Sequence, residues 1–148
     1  MDFTRADALN TAIRTIAIRH RALAASMLAE LGLHPGHEVV LLALDAHGPQ
    51  TQKQLAAEAG CEPPSITVMV RKLETAGLVE RVAAADDARA RVVSLTGQGR
   101  ELIEPLRRVW VRLAEETVEG FDEDAVRELL GGLELLAGGL RARGRLRL

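Results

Sequence analysis

The sequence predicts a mostly helical chain with one small β-hairpin, an α+β fold in which a helix-turn-helix and hairpin module sits between long flanking helices. Three observations carry that expectation. Hydrophobic residues make up 47% of the 148 but aromatic ones only 2%, so the core has to be aliphatic. From Thr51 to Thr96 the chain reads TQKQLAAEAGCEPPSITVMVRKLETAGLVERVAAADDARARVVSLT. That stretch holds two short helical patterns, then two β-branched runs around a small charged loop. Outside it, apolar residues recur at three- and four-residue steps over long spans.

Residues 3–31 form the first helical pattern, with Leu9, Ile13, Ile16, His20, Leu23, Met27 and Leu31 on one stripe. Arg5, Arg14, Arg19 and Arg21 fall mostly off it, and Gly32 is the expected stop. Pro35 opens a second helix through Val39, Val40, Leu42, Ala43 and Leu44, ending near Gly48 and Pro49. Thr51 and Gln54 make a T-x-x-Q capping box for a third helix that buries Leu55, Ala56 and Ala59 and stops at Gly60. Pro63 and Pro64 fit the first turn of a fourth helix, where a missing N–H leaves no helical bond unmade. Its buried stripe is Ile66, Met69 or Val70, and Leu73, and Gly77 ends it. Leu78–Val82 and Arg91–Leu95 read as strands, with Ala83–Ala90 as the loop between them. Thr96 caps a fifth helix with apolar Leu102, Ile103, Leu106, Trp110 and Leu113. Asp122 starts a sixth with Val126, Leu129, Leu130, Leu133, Leu136 and Leu140.

The chain therefore divides into a central module, residues 35–96, and a helical region made of 1–34 and 97–148. The leucine-rich faces of the flanking helices are too large for one small module to cover, which points to a homodimer; the alternative is that they pack onto their own domain. The single cysteine, Cys61, rules out an intrachain disulfide. The N-terminus MDFTRADALN lacks the apolar core of a signal peptide, and no run of ~18 apolar residues suggests a membrane span. A cytoplasmic protein is the expectation. No nucleophile with placed partners and no phosphate-binding glycine loop is present, so an enzyme is not expected. Neither is a cofactor or a metal: His34, His37 and His47 with Glu38 do not make a convincing set of four zinc ligands.

Function has to come from placement, because the formal charge is only −2. In the fourth helix the residues off the buried stripe are Pro64, Ser65, Thr67, Val68, Arg71 and Lys72. Hydroxyls bond base edges or phosphates, a valine touches a thymine methyl, and an arginine bonds guanine O6 and N7 or a phosphate. Arg89 lies at the hairpin tip, where a guanidinium would enter a narrow A·T-rich minor groove. Asp87 carries the wrong sign for DNA, so its expected role is to hold Arg89 or a basic residue of the fourth helix. Arg81 and Arg91 are candidates for phosphate contacts. Residues 51–96 hold six Lys and Arg against six Asp and Glu, so the acids must sit away from the DNA face.

These residues resemble the MarR family of bacterial winged helix-turn-helix regulators. The most specific pieces are SITVMVRKLETAGLVER (65–81) and DARARVVSLTGQGREL (87–102). Asp87 and Arg89 fill the family's D-x-R wing, while Leu95, Thr96 and Gly99 fill the following strand end and helix start. Ala88 stands where many members carry a second Arg. The resemblance implies a homodimer built from the N- and C-terminal helices, bound to a pseudo-palindromic double-stranded DNA operator, usually as a repressor. It implies a small-molecule effector pocket between the dimer helices and the winged module, which His20, Arg21, His34 and His37 would line. Peroxide-sensing members use a cysteine near the chain start; here the first helix has none, and Cys61 is read as a small packed hydrophobe. The alternative is a winged-helix assembly or small-molecule-binding module without DNA binding, which would not need an arginine at the wing tip.

Overall fold

A computed structural model describes residues 1–144. Residues 145–148, the end of the expected helical region, lie outside the described residues. In chain order the elements are α1 (Phe3–Ala29), α2 (His37–His47), α3 (Gln52–Ala59), α4 (Pro63–Thr75), β1 (Val79–Ala83), β2 (Arg91–Leu95), α5 (Gly97–Thr117) and α6 (Glu123–Gly144). The chain divides into two compact units inside α5, between Leu113 and Ala114.

The first unit has a single aliphatic core, as the composition requires. Ala24, Met27 and Leu28 of α1 join Val40, Leu41 and Leu44 of α2, Leu55 of α3, and Ile66, Val70 and Leu73 of α4. Val93 and Leu95 of β2 and Ile103, Leu106, Val109 and Leu113 of α5 complete it. The α5 pattern corrects the expected stripe in one place: Val109 is buried, whereas Trp110 is 37% exposed. A three-residue step from Leu106 reaches the core, and the bulky indole takes the four-residue position outside it.

Local chemistry sets the element boundaries. Thr51 Oγ1 accepts from the Gln54 N–H at 3.2 Å, and Gln54 Oε1 accepts from the Thr51 N–H at 2.9 Å, the reciprocal capping box expected at α3. The two prolines occupy the first two positions of α4. The Thr96 hydroxyl donates to the Gly77 carbonyl at 2.6 Å and accepts from the Gly99 N–H at 3.0 Å, tying the end of α4 to the start of α5. Helix α2 begins at His37 rather than Pro35, because Gly36 holds φ at +102°. That left-handed conformation favours glycine and interrupts the helix. The hairpin is antiparallel, with Val79 opposite Leu95 and Ala83 opposite Arg91. Gln50 adds a third rung beside β2, exchanging backbone bonds of 3.0 and 2.7 Å with Val93.

The first half of α1 is not part of the core. Leu9, Ile13 and Ile16 are 47%, 37% and 52% exposed, and full burial begins only at Ala24. In the second unit, Asp122 Oδ1 caps α6 by accepting from the Ala125 N–H at 2.8 Å. Leu130, Leu133, Leu136 and Leu140 of α6 are exposed. Among the described residues no helix is long and apolar enough to cross a membrane.

Candidate nucleic-acid interface

Burying Ile66, Val70 and Leu73 fixes which face α4 presents. Pro64, Ser65, Val68, Arg71 and Lys72 are exposed, Val68 by 50%. An exposed valine between a hydroxyl and two cations is an apolar contact set among polar ones. The side chains of Arg71 and Lys72 make no hydrogen bond or ion pair among the described residues.

Thr67 is placed differently. Its hydroxyl donates to the Pro63 carbonyl at 3.0 Å and accepts from Gln52 Nε2 at 2.9 Å. The hydroxyl proton is thereby committed, and the residue links α3 to the first turn of α4. Sequence reasoning did not single out Gln52. Its signal was its place beside the capping threonine, but nothing in the sequence pairs it with Thr67.

The wing brings Asp87, Arg89 and Arg91 together on one short turn. Asp87 Oδ1 accepts from the Arg89 backbone N–H at 2.9 Å, and the Asp87 carbonyl accepts from the Ala90 N–H at 3.1 Å. Asp87 therefore shapes the backbone beneath Arg89, and binds neither its guanidinium nor a basic residue of α4. The side chains of Arg89 and Arg91 are exposed and have no partner among the described residues. Arg81 is exposed too, but its Nε donates to Glu74 Oε2 at 3.2 Å, joining β1 to α4.

The acids are only partly removed from this surface. Glu74 is held by Arg81, and Glu58 by His47 at 3.2 Å. Glu62, Glu80, Asp86 and Asp87 remain exposed, with Glu62 at the N-terminus of α4 and both aspartates at the wing. An acid-free face was expected, and these positions depart from it.

Three of the four residues expected to line an effector pocket do converge. A cavity of about 570 Å³ is bounded by Arg21 of α1, His34 of the α1–α2 turn, His37 at the start of α2, and Ser65, Val68 and Lys72 of α4. His20 is half-buried on α1 and does not line it. His37 is buried, and its Nδ1 accepts from the His34 N–H at 3.3 Å, with the two rings edge to face at 5.4 Å. Burial holds the His37 pKa below its usual value of 6.5, and the neighbouring His34 and Lys72 add to that. Glu38, overlooked as a structural residue in the sequence, is also buried; its Oε2 accepts from the Gly36 N–H at 2.7 Å. Burial pushes its pKa up, against the opposing pull of the backbone N–H groups of Glu38 and Gly36 and the charge of Arg21. With Glu38 turned to Gly36 and His47 to Glu58, the four residues weighed as metal ligands do not assemble. No group of three metal-ligating side chains is found among the described residues.

This arrangement of helix, helix and wing is found in known proteins. Residues 33–90 match the sequence model of the MarR family. The winged module is a MarR-family domain. A probable transcriptional regulator from Pseudomonas aeruginosa is 28% identical, with a TM-score of 0.79 covering 86% of this chain and 95% of that one. A MarR mutant from E. coli, solved in complex with operator DNA, gives a TM-score of 0.80 at 22% identity over 92% and 99% of the two chains. BpsR of Bordetella bronchiseptica, whose DNA binding is regulated by 6-hydroxynicotinic acid, gives 0.79 at 20% identity over 86% and 91%. The last two likenesses speak to fold. In this MarR-family domain the matched stretch takes in α2, α3, α4, β1 and the wing tip through Ala90, and stops just before Arg91.

Proposed function

We propose that this chain is a sequence-specific DNA-binding transcriptional regulator: a homodimeric, ligand-responsive repressor of a pseudo-palindromic operator. The observation that carries the reading is the pairing of an exposed α4 face with a wing whose cations at and beside the tip, Arg89 and Arg91, are unpaired among the described residues. Arg71 and Lys72 on the helix, and Arg89 and Arg91 on the hairpin, have no protein partner among the described residues. Arg71 reads guanine, Val68 meets a thymine methyl, and Ser65 and Lys72 hold phosphates, with the Pro64 turn against the backbone. Arg89 enters the minor groove, and Arg81 and Arg91 flank it on phosphates. Thr67 acts mainly by fixing the angle of α4.

Exposed apolar residues on α1 and α6 support a dimer, since a second copy covers such faces. The helical region 1–34 with 97–148 is the assembly part, and 35–96 the reading part. The cavity beside α4 supports a small-molecule effector, and a DNA target makes the protein cytoplasmic. Selection of bound fragments from genomic DNA, followed by mobility shifts over a salt series, tests the reading. The expected result is an enriched inverted repeat, with log affinity falling by roughly 0.9 per phosphate contact for each unit of log salt. Ligand binding with no enriched DNA would support the rival reading of a small-molecule module.

A further inference from the structure

We propose that Val68 and Arg71 act as one reading unit, which recognises the 5-methyl group of a pyrimidine in the base pair next to a guanine. That methyl is the same group on thymine and on 5-methylcytosine. The protein therefore responds to cytosine methylation of its operator as well as to sequence. The proposal rests on the DNA-binding reading given above.

Spacing sets the size of the unit. Val68 and Arg71 are three residues apart on α4, so their side chains share one face. Three residues rise about 4.5 Å along a helix, and one base step rises about 3.4 Å along a strand. A helix lying along the major groove sets such a pair over neighbouring base pairs.

Val68 is 50% exposed on a helix whose core positions are filled by Ile66, Val70 and Leu73. The core does not require a β-branched side chain there, and valine forms helices less well than alanine or leucine. Its stiffness suits a contact instead. One χ1 rotamer dominates in a helix, so its two methyl groups need little further ordering on binding. The pyrimidine 5-methyl is the apolar group that a base pair presents in the major groove.

Arg71 is kept available by a neighbouring pair. Glu74 stands three residues further on, at a spacing that pairs charges along a helix. Its Oε2 instead accepts from Arg81 Nε at 3.2 Å. The Arg71 side chain makes no hydrogen bond or ion pair among the described residues. A free guanidinium bonds guanine O6 and N7 together. With Arg71 anchored in that way, Val68 is left over the adjoining base pair, where a 5-methyl group removes its exposed face from water.

The experiment uses the full-length chain and an operator chosen by selecting bound fragments, with fluorescence anisotropy at fixed salt. Guanines of each half-site are first replaced one at a time by 7-deazaguanine, which lacks the N7 acceptor. One position should cost about tenfold in affinity, and that cost should vanish in Arg71→Ala. Each base pair flanking that guanine then carries in turn thymine, deoxyuridine, cytosine or 5-methylcytosine, on either strand. At one flanking pair, thymine should bind about fourfold better than deoxyuridine per half-site, the size of one buried CH₂ group. There 5-methylcytosine should exceed cytosine by the same factor. Val68→Ala should reduce both preferences to less than twofold, with thermal unfolding no lower than the parent's. No effect of the methyl at either flanking pair overturns the proposal, as does a preference that persists in Val68→Ala. A thymine preference with no gain from 5-methylcytosine overturns the response to methylation. Failure to enrich any sequence would instead reject the DNA reading itself.

Discussion

At the hairpin tip, Asp87 uses a carboxylate oxygen on the Arg89 backbone N–H, and the guanidinium has no partner among the described residues. Arg89→Ala should weaken operator binding by about 1–3 kcal/mol per half-site, the size of a lost specific contact. A mobility-shift titration at fixed salt checks this, and unchanged affinity would remove Arg89 from the interface. Arg71 and Thr67 are neighbours on α4 with different expected phenotypes. Arg71→Ala should relax base preference more than total affinity, read by selecting bound sequences with parent and mutant. Thr67 instead holds Gln52 and Pro63, so Thr67→Val should cost about 1 kcal/mol of stability without changing which bases are preferred. His37 carries a pH dependence. Its folded pKa lies below 6.5, so the stability it contributes is complete above that pH and is lost as pH falls through the folded value. The stability advantage over His37→Gln should therefore shrink below pH 6.5 in denaturant titrations. Glu38 has the opposite sign: raised above 4.5, its contribution is complete below that pH and declines as pH rises through the folded value.

Among the elements, start and stop chemistry explains the close approach of the start of α5 to the turn between α4 and β1. Gly99, buried at the start of α5, leaves no room for a methyl group, because an added Cβ would collide with the Leu78 carbonyl. Gly97, two residues earlier, faces open space. Gly99→Ala should cost about 1–3 kcal/mol, as overpacking does, while Gly97→Ala leaves thermal unfolding nearly unchanged. Equal melting temperatures for the two variants would contradict that packing. Features written within one turn were legible in the sequence, among them the Thr51–Gln54 box, the paired prolines of α4 and the threonine before α5. So was the order of the six helices and the hairpin, because hydrophobic period and punctuation are local signals. Features that need a distant partner were not legible. The Gln50 rung depends on Val93, the tie of Thr67 depends on Gln52, and Val109 replaces Trp110 in the core only because of where α5 lies. The candidate site divides the same way. The residue types on α4 and the wing could be read off, but which cations are free and which, like Arg81, are already paired required coordinates.

At the scale of the whole molecule, exposed apolar residues occur in each compact unit: Leu9, Ile13 and Ile16 in the first, and Leu130, Leu133, Leu136 and Leu140 in the second. Each is roughly half exposed, so covering one contributes on the order of 1 kcal/mol. Summed over two copies, that gain is comparable to the roughly 4–15 kcal/mol that association costs. A dimer resting on so narrow a margin should be sensitive to charge placed within its apolar face. Leu133→Glu combined with Leu136→Glu should therefore shift the protein to monomer in sedimentation velocity, with the circular dichroism of a folded helical chain retained. DNA binding then separates assembly from reading. Linked modules gain ~10²–10⁴ in affinity over single ones when the geometry allows both to engage. The double variant should lose about that factor on a full operator and bind an isolated half-site as well as the parent does. The parent has a complementary sensitivity to the DNA itself. Half-sites read by a two-fold dimer lie about 10–10.5 base pairs apart, so inserting ~5 base pairs turns one half-site to the far side of the duplex. That insertion should reduce the parent to half-site affinity and leave the double variant unaffected. Equal loss in both proteins would mean that the apolar residues of α6 do not set the spacing of the two reading modules.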